Sequence, residues 1–175
     1  MKNIVLIGCS ASKADTPIRA AEMYTGELFK LSRRWAESCG GGIYGWWILS
    51  AKWGLLTPGQ TISPYDETLD TTAKTRTWGG KVRQDLHDCF HGFSKNEPVR
   101  FIVLAGKAYS SWNEPLFLPL IWCTVERPLA GLGIGQQKAA LCRMIPSLAT
   151  DKHAWPHIPL PDRVERSLAT IGASL

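Results

Sequence analysis

The chain has no apolar run approaching the roughly 18 residues that a membrane-spanning helix needs, which argues against a membrane partner. It has no Cys-x-x-Cys pair, and its five cysteines (Cys9, Cys39, Cys89, Cys123 and Cys142) are odd in number and widely spaced. A disulfide framework and a structural zinc site are both disfavoured by that pattern. There is no His-Glu-x-x-His, no Gly-x-Gly-x-x-Gly and no phosphate-binding P-loop pattern, so no metal or cofactor is expected. His87 and His91 lie four apart on a predicted helix, and His153 and His157 four apart in a proline-containing segment; without that context neither pair is expected to hold a metal, and the first is expected to be partly buried on a helix face. Repeats, low-complexity tracts and linkers are missing too, so residues 1–175 are expected to form one domain. The opening Met1-Lys2-Asn3-Ile4-Val5-Leu6-Ile7 is too short and too quickly polar for a signal peptide, and a cytoplasmic location is the expectation.

What is present is a chain of 175 residues, 45% hydrophobic, with a net charge of +5. That length buries a core without staples. The basic excess favours polyanionic partners, nucleic acid among them. Eight tryptophans are unusual. Beside Lys or Arg an aromatic can stack a base, whereas Trp47 and Trp122 sit within strand-like runs and are expected in the core.

Residues 3–8, 45–50 and 100–104 are short continuous apolar runs, each followed at once by small polar residues. Such runs predict parallel strands buried on both faces, with a fourth at 121–125. Between them, residues 27–39, 77–93 and 134–145 carry apolar side chains at helical spacing. Gly40-Gly41-Gly42 and Pro146 act as stops. Residues 152–161 are expected to be extended and 163–171 a last short helix. Strand–helix alternation predicts an α/β fold of three layers around a mostly parallel sheet.

In such sheets ligands gather outside the carboxyl ends of the strands. Three strands here end in comparable clusters: Gly8-Cys9-Ser10-Ala11-Ser12-Lys13, Ser50-Ala51-Lys52-Trp53 and Ala105-Gly106-Lys107-Ala108-Tyr109. Each places a lysine just past a strand, where it meets an anion such as phosphate or else solvates a loop. Ser10 and Ser12 either donate to a phosphate or base or cap the next element. Cys9 as a nucleophile needs a depressed pKa, and no sequence neighbour supplies one. Tyr24-Thr25-Gly26 precedes the second predicted element, with Thr25 the expected N-cap and Tyr24 a base-stacking candidate. In Ser63-Pro64-Tyr65-Asp66 the proline forces an extended entry, and Asp66 is either a general base or charge stabiliser, or the cap of a turn. The alternating glycines of Leu129-Ala130-Gly131-Leu132-Gly133-Ile134-Gly135-Gln136-Gln137-Lys138 make an anion site, with Gln136 reading a base edge, or let a helix start pack closely.

Taken in order, Gly8–Lys13 of the first cluster, Tyr24-Thr25-Gly26-Glu27-Leu28-Phe29, Ile48-Leu49-Ser50-Ala51-Lys52-Trp53-Gly54-Leu55-Leu56 and Ile62-Ser63-Pro64-Tyr65-Asp66 resemble a family of uncharacterised bacterial and phage domains. That family is similar to the YaaA peroxide-stress proteins, and the resemblance covers residues 1–145. The first cluster is also similar to a motif of the archaeosine synthase catalytic domain, but Gly8 replaces its proline and its downstream histidine is missing, so that reaction is not carried over. The resemblance implies a fold like that of uracil-DNA glycosylase, a base-binding pocket at the strand ends, and DNA binding. The leading expectation is therefore a DNA-repair hydrolase, an N-glycosylase that flips a damaged or modified base out of the duplex. Asp66, Ser10 and Lys13 are its candidate catalytic residues. Cys9, Ser12, Tyr24, Thr25, Ser50, Lys52, Trp53, Tyr65, Gly106, Lys107, Gly135 and Gln136 are its candidate substrate contacts. The alternatives are a non-catalytic DNA-binding stress protein of the YaaA kind and a base-exchange enzyme on free nucleosides or nucleotides.

Overall fold

A computed structural model describes residues 2–38, 45–90, 98–110 and 123–145, the side chains of 107 and 110 excepted. Expectations for Cys39, His91, Trp112, Trp122, residues 152–161 and 163–171, and the side chain of Lys107 lie outside the described residues.

The apolar runs do form strands: β1 (Lys2–Gly8), β3 (Trp46–Ser50) and β6 (Val99–Leu104) lie side by side and parallel, with β1 in the centre. β7 (Cys123–Glu126) extends the sheet parallel to β6. β4 (Gly54–Leu56) folds back antiparallel on β3, giving the order β4-β3-β1-β6-β7. The sheet is thus mixed but mostly parallel. Gly54 makes the tight return with φ +77°, a left-handed backbone that favours glycine. The pair β2 (Ile18–Arg19) and β5 (Thr61–Ile62) forms a separate two-stranded ribbon.

Alternation along β1 explains why its sequence looked continuously apolar. Val5 and Ile7 face one layer, with Phe29, Trp35 and Ala36 of α2 (Glu27–Ser38) and Leu141 of the helix α5 (Ile134–Met144), whereas α1 (Ala20–Met23) adds Met23. Ile4 and Leu6 face the other layer, with Trp78, Val82, Leu86 and Phe90 of α3 (Thr72–Phe90). Both sheet faces are covered, so Ile4, Val5, Leu6 and Ile7 are apolar without a break. Among the parallel strands the connection from β1 to β3 runs one way across the sheet and that from the β3–β4 hairpin to β6 runs back the other way, and crossovers of one hand then place α2 and α3 on opposite faces.

Helix α3 begins five residues before the expected start. Thr71 caps it: its Oγ1 accepts the Lys74 N–H at 3.2 Å, and its carbonyl accepts the Thr75 hydroxyl at 2.8 Å. The first turn is polar and exposed, so apolar periodicity did not reveal it. The short α4 (Lys107–Ser110) follows β6 directly.

Candidate functional site

The connection from β1 runs to β3 on one side, and that from β6 runs to β7 on the other. The sheet's switch point therefore lies at the carboxyl ends of β1 and β6, where ligands of such sheets bind. Gly8 permits this close approach, because a Cβ there would stand 2.9 Å from the Cβ of Ala105.

Beyond β1 the backbone of Cys9 continues the ladder, its N–H bonded to the Leu49 carbonyl at 3.0 Å. Its Sγ then meets the hydroxyl of Tyr109, from α4, at 3.0 Å. Ser10 is committed to the loop itself: its hydroxyl donates to the Ser12 carbonyl at 2.7 Å and accepts the Gly26 N–H at 3.3 Å. The Ser12 carbonyl also accepts the Thr25 N–H at 3.0 Å. Gly26, rather than Thr25, closes the start of α2, its carbonyl accepting the Lys30 N–H at 3.0 Å. A side chain at Gly26 would collide with Ser10 at 2.8 Å, which is why the loop and the helix start carry Ser and Gly.

On the β3 side, Ser50 is fully buried and fully bonded. Its carbonyl accepts the Trp78 indole N–H at 2.7 Å, and its hydroxyl accepts the Trp53 N–H at 3.1 Å and meets the Tyr65 hydroxyl at 2.8 Å. The Tyr65 hydroxyl continues to that of Tyr24 at 2.9 Å. The β2–β5 ribbon brings the two tyrosines together by pinning the segment before Tyr65 against the one before Tyr24. Burial, reinforced by charge on the neighbouring Cys9, pushes the Tyr65 phenol far above its usual range; burial likewise raises Tyr24 and Tyr109. These phenols act as neutral donors and acceptors.

The rings offer less stacking surface than the sequence suggested. Tyr24 is 1% exposed and packs on Phe29. Tyr65 carries the Lys13 ammonium over its face at 4.4 Å. Trp53 is 39% exposed at the end of β3, with the Lys52 ammonium 5.1 Å from its ring centroid. Lys13 also donates to the Ala11 carbonyl at 3.2 Å. Gln136 turns back to cap its own helix, its Oε1 accepting the Gly133 N–H at 3.0 Å, whereas Gly135 and Gly106 are exposed, with open space where a side chain would be.

Among the described residues, three hollows lie near the strand ends. The largest of these three, about 510 Å3, runs along α3 and is lined by Lys52, Lys74 and Lys81. Each of these lysines has its own carboxylate, Glu67 at 3.6 Å, Asp70 at 2.9 Å and Asp85 at 3.0 Å. Their charge is locally balanced, and this groove is no anion funnel. The second, about 300 Å3, is lined by Lys13, Asp66, Cys9, Ser10 and Tyr109. Its carboxylates Glu67 and Asp70 are held by Lys52 and Lys74, whereas Asp66 is exposed and makes no ion pair among the described residues. The third, about 360 Å3, lies at the switch point between α2, α5 and the ends of β1 and β6. Cys9, Ser10 and Tyr109 line both the second and the third, so the thiol–phenol contact is the partition between them.

Sequence reasoning missed Tyr109, Ser32 and Gln137 as walls of these cavities. Ser32 left a faint signal, a serine four residues after Leu28 on the apolar face of α2. Among the described residues no group of three or more His, Cys, Asp or Glu side chains is gathered as for a metal, and no helix is long and apolar enough to cross a membrane.

The architecture defines an α/β protein with a ligand-sized cleft at its strand ends. The chain belongs to the family of unknown function DUF6884, which matches residues 4–143, from β1 to the end of α5. It is similar to the uncharacterized protein YfjM of Bacillus subtilis (strain 168), at 30% identity over 118 residues that cover 63% of this chain and 74% of that protein.

Proposed function

We propose that the protein is an enzyme on nucleobases, an N-glycosylase that removes a damaged or modified base from DNA after flipping it into the strand-end cleft. Kinship with the YaaA proteins and the uracil-DNA glycosylase fold forms part of this reading. The observation that carries it is Asp66, an exposed carboxylate outside any ion pair among the described residues, lining the same cavity as Lys13 and Tyr109. Hydrolysis breaks the bond from the sugar C1′ to the base nitrogen, and the bonding pair leaves with the base. Asp66 stabilises the positive charge that develops on the sugar and takes a proton from the attacking water. Lys13 and the neutral Tyr109 phenol donate toward the departing base. Trp53, exposed at the end of β3, supplies a stacking surface for a flanking base, and the net charge of +5 favours approach to DNA.

The test uses labelled duplexes, each with one damaged or hypermodified base, followed by alkali to cut at abasic sites. Cleavage at one base is expected, with Asp66→Asn slowing turnover by about 10²- to 10⁴-fold while gel shifts persist. Gel shifts without cleavage would leave a DNA-binding protein. Neither cleavage nor shift would overturn the DNA reading and direct attention to free nucleosides.

A further inference from the structure

We propose that the cavity at the switch point is a subsite for an uncharged heterocyclic ring bearing an N–H donor, and that Ser32 and Gln137 determine which ring it holds. The inference deepens the base-handling reading and rests on it for the statement that the ring is a nucleobase.

The lining is the first ground. Phe29, Leu104, Leu129 and Ile134 supply apolar walls, and among the described residues no Asp, Glu, Lys, Arg or His lines the cavity. A charged group placed there would be stripped of water without a counter-charge. The cavity across the Cys9–Tyr109 partition carries Asp66 and Lys13. A neutral ring on one side and a reacting sugar on the other match that division of charge, with the bond between them passing over the partition. Ile134, at the first position of α5 and 68% exposed, forms the outer edge, an apolar side chain that a seated ring would cover.

The second ground is a pair of polar groups left open. Ser32 is 1% exposed, lines the cavity, and its hydroxyl joins no hydrogen bond among the described residues. Buried hydroxyls normally find a partner, and a ligand acceptor would complete this one. On the opposite helix, the Gln137 amide nitrogen donates to the Leu132 carbonyl at 2.8 Å. That bond fixes the amide and leaves Oε1 as an acceptor without a partner among the described residues. A ring that satisfies both groups brings an acceptor for Ser32 and an N–H for Gln137.

The experiment is ligand-observed saturation-transfer NMR on the full chain, with uracil, thymine and hypoxanthine as neutral probes. 1,3-Dimethyluracil, which has no N–H, and orotate, which is anionic, are the controls. The neutral N–H bases are expected to bind and the two controls to bind at least tenfold more weakly. Ser32→Ala and Gln137→Leu should each weaken binding by about threefold to tenfold, and Ser32→Val, which pushes methyl groups into the cavity, should abolish it. Melting curves of the free variants show that each is folded. Equal binding of either control, indifference to Ser32→Ala and Gln137→Leu in folded protein, or no binding of any neutral base would overturn the subsite. Base binding without cleavage of any lesion duplex keeps the subsite and rejects the glycosylase reading. Cleavage unaffected by Ser32→Ala and Gln137→Leu does the reverse.

Discussion

The two sides of β1 spend their polar groups differently. On the β3 side, Ser50, Tyr65, Tyr24 and Trp78 form a closed chain in which each hydroxyl and the indole N–H has a partner at 2.7–2.9 Å. On the β6 side a thiol–phenol contact stands between two cavities, and Ser32 and Gln137 keep groups open toward one of them. A satisfied buried network rigidifies; open groups in a cavity await a ligand. Under the proposed function, the β3 side holds the cleft in shape and the β6 side receives the base.

The strongest test of that division lies at the β6 edge, where the one buried ion pair of the described sheet sits. Arg100 Nε lies 3.1 Å from the carboxylate of Glu126, its diagonal neighbour on β7, and Glu126 is 5% exposed. Burial raises the Glu126 pKa, against the pull of Arg100. Arg100→Met leaves that carboxylate uncompensated and should cost about 3–5 kcal/mol at neutral pH. A raised folded pKa means stability is lost as pH rises through it and recovered as pH falls. The deficit should therefore shrink in mild acid, and Glu126→Gln in the Arg100→Met background should restore most of it. Urea unfolding at two pH values measures both; a deficit independent of pH would show that packing, not charge, holds this edge.

Next in size is the closed network. Tyr65→Phe removes the hydroxyl that joins Ser50 to Tyr24 and leaves a buried phenol without its partner, at a cost of about 1–3 kcal/mol. The Tyr65 phenol is raised by burial, so its contribution is complete below the unfolded value near pH ~10 and declines above it. Wild-type protein should lose stability on the alkaline side more steeply than Tyr65→Phe. Equal alkaline slopes in denaturant titrations would mean that Tyr65 ionises in the folded state as freely as in the unfolded one.

Most of the sheet was legible because β1, β3 and β6 are buried on both faces and carry unbroken apolar runs. β4 was not, since three residues returning through Gly54 show no period, and the first turn of α3 was not, since Thr72, Ala73 and Lys74 are exposed. Within the site, clustering at strand ends was visible, but the state of each side chain was not. Tyr24 is sealed against Phe29, Gln136 caps its own helix, and Lys52 is paired with Glu67, all outcomes of tertiary packing. Ser32 and Gln137 become neighbours of one cavity only through the rotation of α2 and α5 about their axes, which spacing along the chain does not fix.

The smallest effect on stability is expected where the two cavities meet. Tyr109→Phe removes the hydroxyl that contacts Cys9 but keeps the ring, which packs edge-on to Trp78 at 5.2 Å. Thiol–phenol hydrogen bonds are weak, and the loss should be about 1 kcal/mol or less. The consequence for access is larger, because the contact is the partition itself. Without it, the Cys9 thiol loses its hydrogen-bonded cover, and its alkylation, followed by peptide mass spectrometry to separate it from the exposed Cys89 and Cys142, should accelerate. The reagent's charge then distinguishes the routes. Neutral iodoacetamide enters through the neutral cavity as well as the charged one, whereas anionic iodoacetate is disfavoured in a cavity that offers no cation among the described residues. A gain in rate larger for iodoacetamide than for iodoacetate places the new access on the β6 side; equal gains would mean that both reagents reach Cys9 past Asp66 and Lys13, and that the neutral cavity is closed to entry.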